Sequence, residues 1–186
     1  MLAGPPSLAD PEIAGQTFSD HLAKAMASSL AGHEQWTSTM IGPRSAVVHM
    51  WATREDGTRD EYHLMLTADY YDQWPPRAVF VAPPDVDSDD WTDPTTDSRW
   101  MPTIDQQITT ANQFAFHPRY QYVTEGNAQR QLICFSHSFD YYITGHGPSD
   151  EQWWKQGRHT LMATLSRIQE ALRAPAYKGP AGALNS

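Results

Sequence analysis

The stretch SAVVHMWATREDGTRDEYHLMLTAD, residues 45–69, decides the fold. Val48 and Met50 alternate with Val47, His49 and Trp51. Tyr62, Leu64 and Leu66 alternate with His63, Met65 and Thr67. A period of two is the mark of a strand with one buried face. Asp56-Gly57 between the two runs is a hairpin signal, because glycine supplies the positive φ that such turns need. RAVFVAP, residues 77–83, reads as a further short strand. The pattern predicts an antiparallel meander of about four strands, not a βαβ repeat.

Helices are expected on either side of it. DPEIAGQTFSDHLAKAMASSLAG, residues 10–32, has Asp10 as a good N-cap and Pro11 at the first helical position. Phe18, Leu22, Met26 and Leu30 recur every four residues and form one apolar stripe, and Gly32 is the expected stop. In PSDEQWWKQGRHTLMATLSRIQEALRAP, residues 148–175, Ser149 and Gln152 make a capping box. Asp150 and Glu151 suit the positive helix end. Trp154, Leu161, Leu165, Ile168 and Leu172 give the stripe, with Gly157 a weak point and Pro175 the end. From 84 to about 130 the chain reads as irregular, and Gln131, Leu132 and Ile133 before Cys134 read as a strand. Asp85, Asp87, Asp89, Asp90 and Asp93 lack the glycine and glutamate of a calcium loop. No internal repeat is present. The fold class expected is α+β, helices on one antiparallel sheet. One domain spans 10–175, with flexible tails at 1–9 and 176–186.

Composition bounds the function. The chain has 186 residues, enough to bury a core, and seven Trp, eight Tyr and six Phe to build it. A net charge of −9 argues against a nucleic-acid backbone and suits partners with basic patches. The single cysteine, Cys134, excludes an internal disulfide and points to a reducing compartment. No signal peptide and no membrane span is read, so a cytoplasmic location is expected.

In YYDQWPPRAVF, residues 70–80, Tyr71 is followed four residues on by Pro75-Pro76, then Arg77, and Phe80 ends the segment. FHPR, residues 116–119, and LICFS, residues 132–136, follow in that order, and an amphipathic helix comes after them. This order resembles the ubiquitin-conjugating enzyme superfamily. Its members carry a tyrosine, a Pro-Pro pair, a basic residue and an aromatic residue, then a His-Pro-Asn turn, then an Ile-Cys-Leu segment around the catalytic cysteine. The likeness covers roughly residues 10–175 and is that of a divergent, prokaryotic-type member. Arg119 stands where the family has asparagine. His117 precedes Cys134 by seventeen residues, where about ten is usual. Two later helices of the family have no counterpart.

The resemblance implies an acyl carrier. Cys134, open on a surface shelf below the FHPR turn, would take a ubiquitin-like protein from an activating (adenylating) enzyme as a thioester. It would then pass it to an amine on a target protein. Cysteine suits this as both nucleophile and leaving group. His117 would order the turn, and Arg119 would take the oxyanion-donor place, with Asn127 and His137 as substitutes. His137 could also lower the thiol pKa, and Asp140 or Asp150 could attract an incoming lysine. No cofactor or metal is called for. A catalytically inactive binding module of the same fold is the alternative, and free cysteines are often buried. A hydrolase pairing Cys134 with His137 or His146 lacks a nucleophile turn. A zinc site of His137, His146, His159 and Cys134 lacks a recognised spacing.

Overall fold

Strand alternation sets the core. A computed structural model describes residues 9–85, 88, 90–110, 113–144 and 152–182. Strands β1 (Thr37–Gly42), β2 (Ser45–Thr53), β3 (Arg59–Thr67) and β4 (Arg77–Val81) form one antiparallel sheet in chain order. Val48 pairs with Leu64 and Met50 with Tyr62. These side chains, with Ala46, Ala52, Leu66, Ala78 and Phe80, are buried on one face. The expected turn joins β2 to β3, with Gly57 at φ +84° and the Thr58 N–H donating to Asp56 Oδ1 at 2.8 Å.

Helix α1 (Pro11–Met26) starts where expected, the Asp10 carboxylate accepting from the N–H groups of Glu12 and Ile13. Phe18 and Leu22 are buried, while Met26 and Leu30 pack at the rim of the core. The helix does not run on to Gly32. It breaks after Met26, and the Ser28 hydroxyl caps a second helix, α2 (Ser29–Glu34), by accepting from the Ala31 N–H at 3.1 Å. Serine competes for backbone partners in this way and so favours helix starts over interiors. Gln35, at φ +59°, ends α2.

The segment expected to be irregular holds β5 (Pro102–Ile104), α3 (Gln106–Thr110), β6 (Ala115–Tyr122) and β7 (Ala128–Cys134). The last two form an antiparallel hairpin. FHPR is therefore strand, not turn. Pro118 has no N–H for the ladder, and the register of β6 slips between His117 and Tyr120, which hides the strand's period from the sequence. A short helix, α4 (Phe139–Ile143), follows β7.

The C-terminal helix, α5, spans Leu161–Ala171 and does not begin near Ser149. Residues 152–160 turn instead, with Gly157 at φ +73° and the Lys155 N–H donating to His159 Nδ1. Ser149, Asp150 and Glu151 lie outside the described residues. Leu161, Leu165, Ile168 and Leu172 are buried as the stripe requires, and α5 packs on α1. Trp154 is buried by another route: its indole N–H donates to the Asp72 carbonyl. Residues 176–182 are not a tail. Strand β8 (Tyr177–Pro180) pairs with β5, and Tyr177 is held by hydrogen bonds to Asp60 and Tyr62, both 2.7 Å. Of the expected N-terminal tail only Ala9 is described, and it is buried. Among the described residues, no helix is long and apolar enough to cross a membrane.

One side chain of the hairpin hydrogen-bonds to the backbone at the sheet's outer edge. Gln131 Oε1 accepts from the Phe80 N–H and Gln131 Nε2 donates to the Phe80 carbonyl, both at 2.6 Å and buried. Its amide thereby completes the outer edge of β4. Gln131→Leu strands a buried N–H and a buried carbonyl, at about 1–3 kcal/mol each. Urea unfolding should show a loss of about 2–4 kcal/mol, whereas exposed Gln129→Ala should stay within about 0.5 kcal/mol.

Candidate functional site

Cys134 ends β7 opposite Ala115. Side chains alternate along β7, so Gln131 and Ile133 face the sheet while Cys134, Leu132 and Arg130 face away. The outward face is not open. Cys134 packs with Tyr122 and Leu132, and Ala115, Tyr120, Tyr141 and Ile143 close around them. The residue is 5% exposed. Burial pushes the thiol pKa up to about 11. At pH 7 such a thiol is ionised to about one part in ten thousand, against about one in thirty for an unperturbed cysteine. The expected surface shelf is thus corrected to a thiol buried in an apolar cluster.

The cover is α4, and the Pro-Pro-Arg segment holds it. The Phe139 N–H donates to the Pro76 carbonyl at 3.1 Å. Tyr70 stacks on Phe139 at 4.4 Å between ring centroids. Arg77 Nε lies 2.9 Å from Oδ1 of Asp140, which is fully buried. Burial raises the Asp140 pKa against the opposing pull of Arg77 and Arg130. Glu125 bridges the same two arginines, at 3.4 and 2.7 Å. Asp140 therefore clamps the cover from inside and does not face an incoming amine, as the sequence had suggested.

Of the other predicted site residues, His117 shares the thiol's face of the hairpin, while Arg119 and Asn127 lie away from it. His117 pairs with Leu132, two residues along the ladder from the Ala115–Cys134 pair, and its ring lies 5.7 Å from that of Tyr120. Arg119 is exposed and donates through Nε to Gln129, whose side chain is on the face of β7 opposite Cys134. That removes it from the oxyanion-donor place. Asn127 sits in the β6–β7 turn at φ +64°, the length of a seven-residue strand from the thiol, about 20 Å.

His137 belongs to a different cluster. Its ring meets Phe135, Trp154 and His159, and its carbonyl accepts from Thr164 of α5. Burial, then the neighbouring His159, lowers its pKa to about 4. The imidazole is neutral at physiological pH and offers no charge to stabilise a thiolate. The dyad with Cys134 is not assembled. His146 and Asp150 lie outside the described residues. His137 and His159 do approach, 4.8 Å between centroids, but Cys134 packs elsewhere, so the four-ligand zinc grouping is not formed by these three.

Sequence reasoning missed Tyr141 and Ile143 as the cover and Arg77 with Asp140 as its clamp. The signal was partly there: Arg77 follows a Pro-Pro pair and opens the edge strand β4. No family model matches the chain, and neither a curated protein nor a solved structure matches it.

Native alkylation of Cys134 should be slow at pH 8 and keep rising through pH 10, since ionisation of the closed thiol is complete only above about 11. Tyr141→Ala should speed it by about tenfold or more at unchanged circular dichroism. A plateau near pH 9 in the parent protein would contradict the enclosure.

Proposed function

We propose that this chain is a ubiquitin-conjugating-like recognition domain that binds a ubiquitin-like protein without forming a thioester to it. Support for the architecture is the element order. Helix α1 precedes a four-strand meander, Tyr71 and Pro75-Pro76 lie between β3 and β4, Arg77 opens β4, the cysteine ends a later hairpin, and α5 follows. The observation that carries the non-covalent reading is the enclosure of Cys134 under α4. A carrier needs a thiolate that another chain's terminus can reach. Here the thiol is covered and protonated, and Arg119 is turned to the far face.

Recognition needs only a standing surface. Ile13 at the start of α1 and Met40 and Ile41 of β1 are exposed apolar side chains. They share one end of the molecule, because α1 lies on the β1–β2 turn: a side chain on Gly15 would meet the Pro43 carbonyl at 3.0 Å.

A second reading is favoured by one feature. The cover over the thiol consists of two half-buried side chains, Tyr141 and Ile143, on a helix of five residues. If the cover lifts, Cys134 attacks the thioester joining a ubiquitin-like terminus to its activating enzyme. The activating enzyme's thiolate leaves, and an amine on a target later displaces Cys134 in turn.

One experiment separates the two. The chain is mixed with a ubiquitin-like protein and its activating enzyme, with and without ATP. The recognition reading expects binding in calorimetry without ATP, weakened by about tenfold or more in Met40→Asp/Ile41→Asp, and no reductant-sensitive adduct. An ATP-dependent adduct that reductant removes and Cys134→Ala abolishes would overturn it and establish the carrier.

A further inference from the structure

The outer face of the sheet holds a group that neither reading uses. His49 of β2 stands directly opposite His63 of β3. Glu61, two residues before His63, projects from the same face. Its Oε1 lies 3.0 Å from His49 Nε2 and 3.5 Å from His63 Nε2. One ligand atom from each of the three residues falls within 4.8 Å of the others. Two imidazoles and a carboxylate at this spacing are a donor set for a late divalent cation.

We propose that His49, Glu61 and His63 form a binding site for a divalent transition-metal cation, Zn²⁺ by preference. Donor atoms around a tetrahedral ion with bonds of about 2.0–2.1 Å are separated by about 3.3 Å. The two carboxylate–imidazole distances bracket that value, and the third separation is no more than 4.8 Å. The contact between His49 and Glu61 is short, yet His49 Nε2 is buried and makes no hydrogen bond, and the same holds for His63 Nδ1. The His49 imidazole is thus not placed as a hydrogen-bond donor to the carboxylate. An ion between the three would satisfy His49 Nε2, which is otherwise orphaned, and would meet His63 through the Nε2 that faces the carboxylate.

The surroundings fit an ion site with an open coordination position. Trp51 packs at 5.1 Å from His49, and Trp91 and Trp100 at 5.0 and 5.2 Å from His63, between ring centroids. These walls fix the rings. The side chains of His49 and His63 are 23% and 11% exposed and that of Glu61 is 42% exposed, so the imidazoles form the floor and the carboxylate the mouth. A cleft of about 260 Å³ reaches the group from the β1 side, lined by Thr37, Ser38 and Thr39. Three protein ligands facing a cleft leave a position for water or for an oxygen of a docked molecule. Arg59 and Arg99 stack on Trp51 and Trp100 beside it; their charge opposes a bare cation and favours an anionic fourth ligand. The site is independent of the thiol and of either functional reading.

The test titrates the full chain, stripped of metal, with ZnCl₂ in calorimetry and with CoCl₂ in visible absorption. One equivalent should bind, and thermal unfolding should move upward with added Zn²⁺. Glu61→Gln, a half-exposed near-isostere that should not disturb folding, should weaken binding by about tenfold or more, and His63→Ala and His49→Ala likewise. His33→Ala, an exposed histidine outside the group, should bind as the parent does. No Zn²⁺ uptake by the parent at about 100 μM, far above typical structural-zinc affinities, would overturn the proposal. So would uptake that Glu61→Gln and His63→Ala both leave unchanged.

Discussion

The two hydrogen bonds from the Gln131 amide to the peptide of Phe80 decide what the rest of the molecule presents. An outer strand leaves N–H and carbonyl groups that must find partners when buried. Here a side chain, not a fifth strand, supplies them, and so fixes the roll of β7. Side-chain direction along a strand has a period of two. With Gln131 turned toward β4, Ile133 enters the core and Cys134 must face outward. A shift of one residue would exchange the two and put the sulfur in the core.

An outward cysteine needs a second condition to become enclosed, and the Pro75-Pro76-Arg77 segment provides it. Pro76 and Arg77 open β4 and contact α4 with a carbonyl and a guanidinium. The ion pair is not a strong source of net stability, since desolvating the buried Asp140 carboxylate offsets much of the attraction. Its effect is positional. Breaking it would leave Asp140 buried without its closest cation, so α4 has one favoured seat. The residues that resemble a family motif thus act in this chain by holding a cover over the thiol.

Much of this was legible in the sequence, for identifiable reasons. Residues 45–69 alternate strictly and carry Asp56-Gly57, so the central hairpin and its buried face could be read directly. Register follows as well: His49 and His63 are equidistant from Asp56, which places them opposite each other, and Glu61 shares their face. The metal-ligand grouping was therefore implicit in the turn, although a search for short ligand motifs passes over it. The end of β7 before Cys134 could be read as strand, but β6 and its pairing were not legible, because Pro118 breaks the alternation. The start of α5 was misread because the Ser149–Gln152 spacing mimics a cap, while Gly157 adopts a positive φ that interrupts a helix. Burial of Cys134 could not be read locally at all. It depends on Arg77 and Asp140, sixty-odd residues apart in the chain.

The balance between recognition and thioester transfer reduces to the free energy of lifting the cover. Closure and the raised thiol pKa are one effect, not two, because water that reaches Cys134 restores its ionisation. If lifting Tyr141 and Ile143 costs about 3 kcal/mol, fewer than about one molecule in a hundred is open at a given time. A partner could populate the open form only by binding it about 150-fold better than the closed one. A carrier of this design needs a partner contact that touches α4 or the hairpin and prefers them apart. A recognition domain needs no such preference, since Ile13, Met40 and Ile41 are exposed in the closed form already. The closed thiol is consistent with a surface that is ready before any partner arrives, and that asymmetry places recognition ahead of transfer.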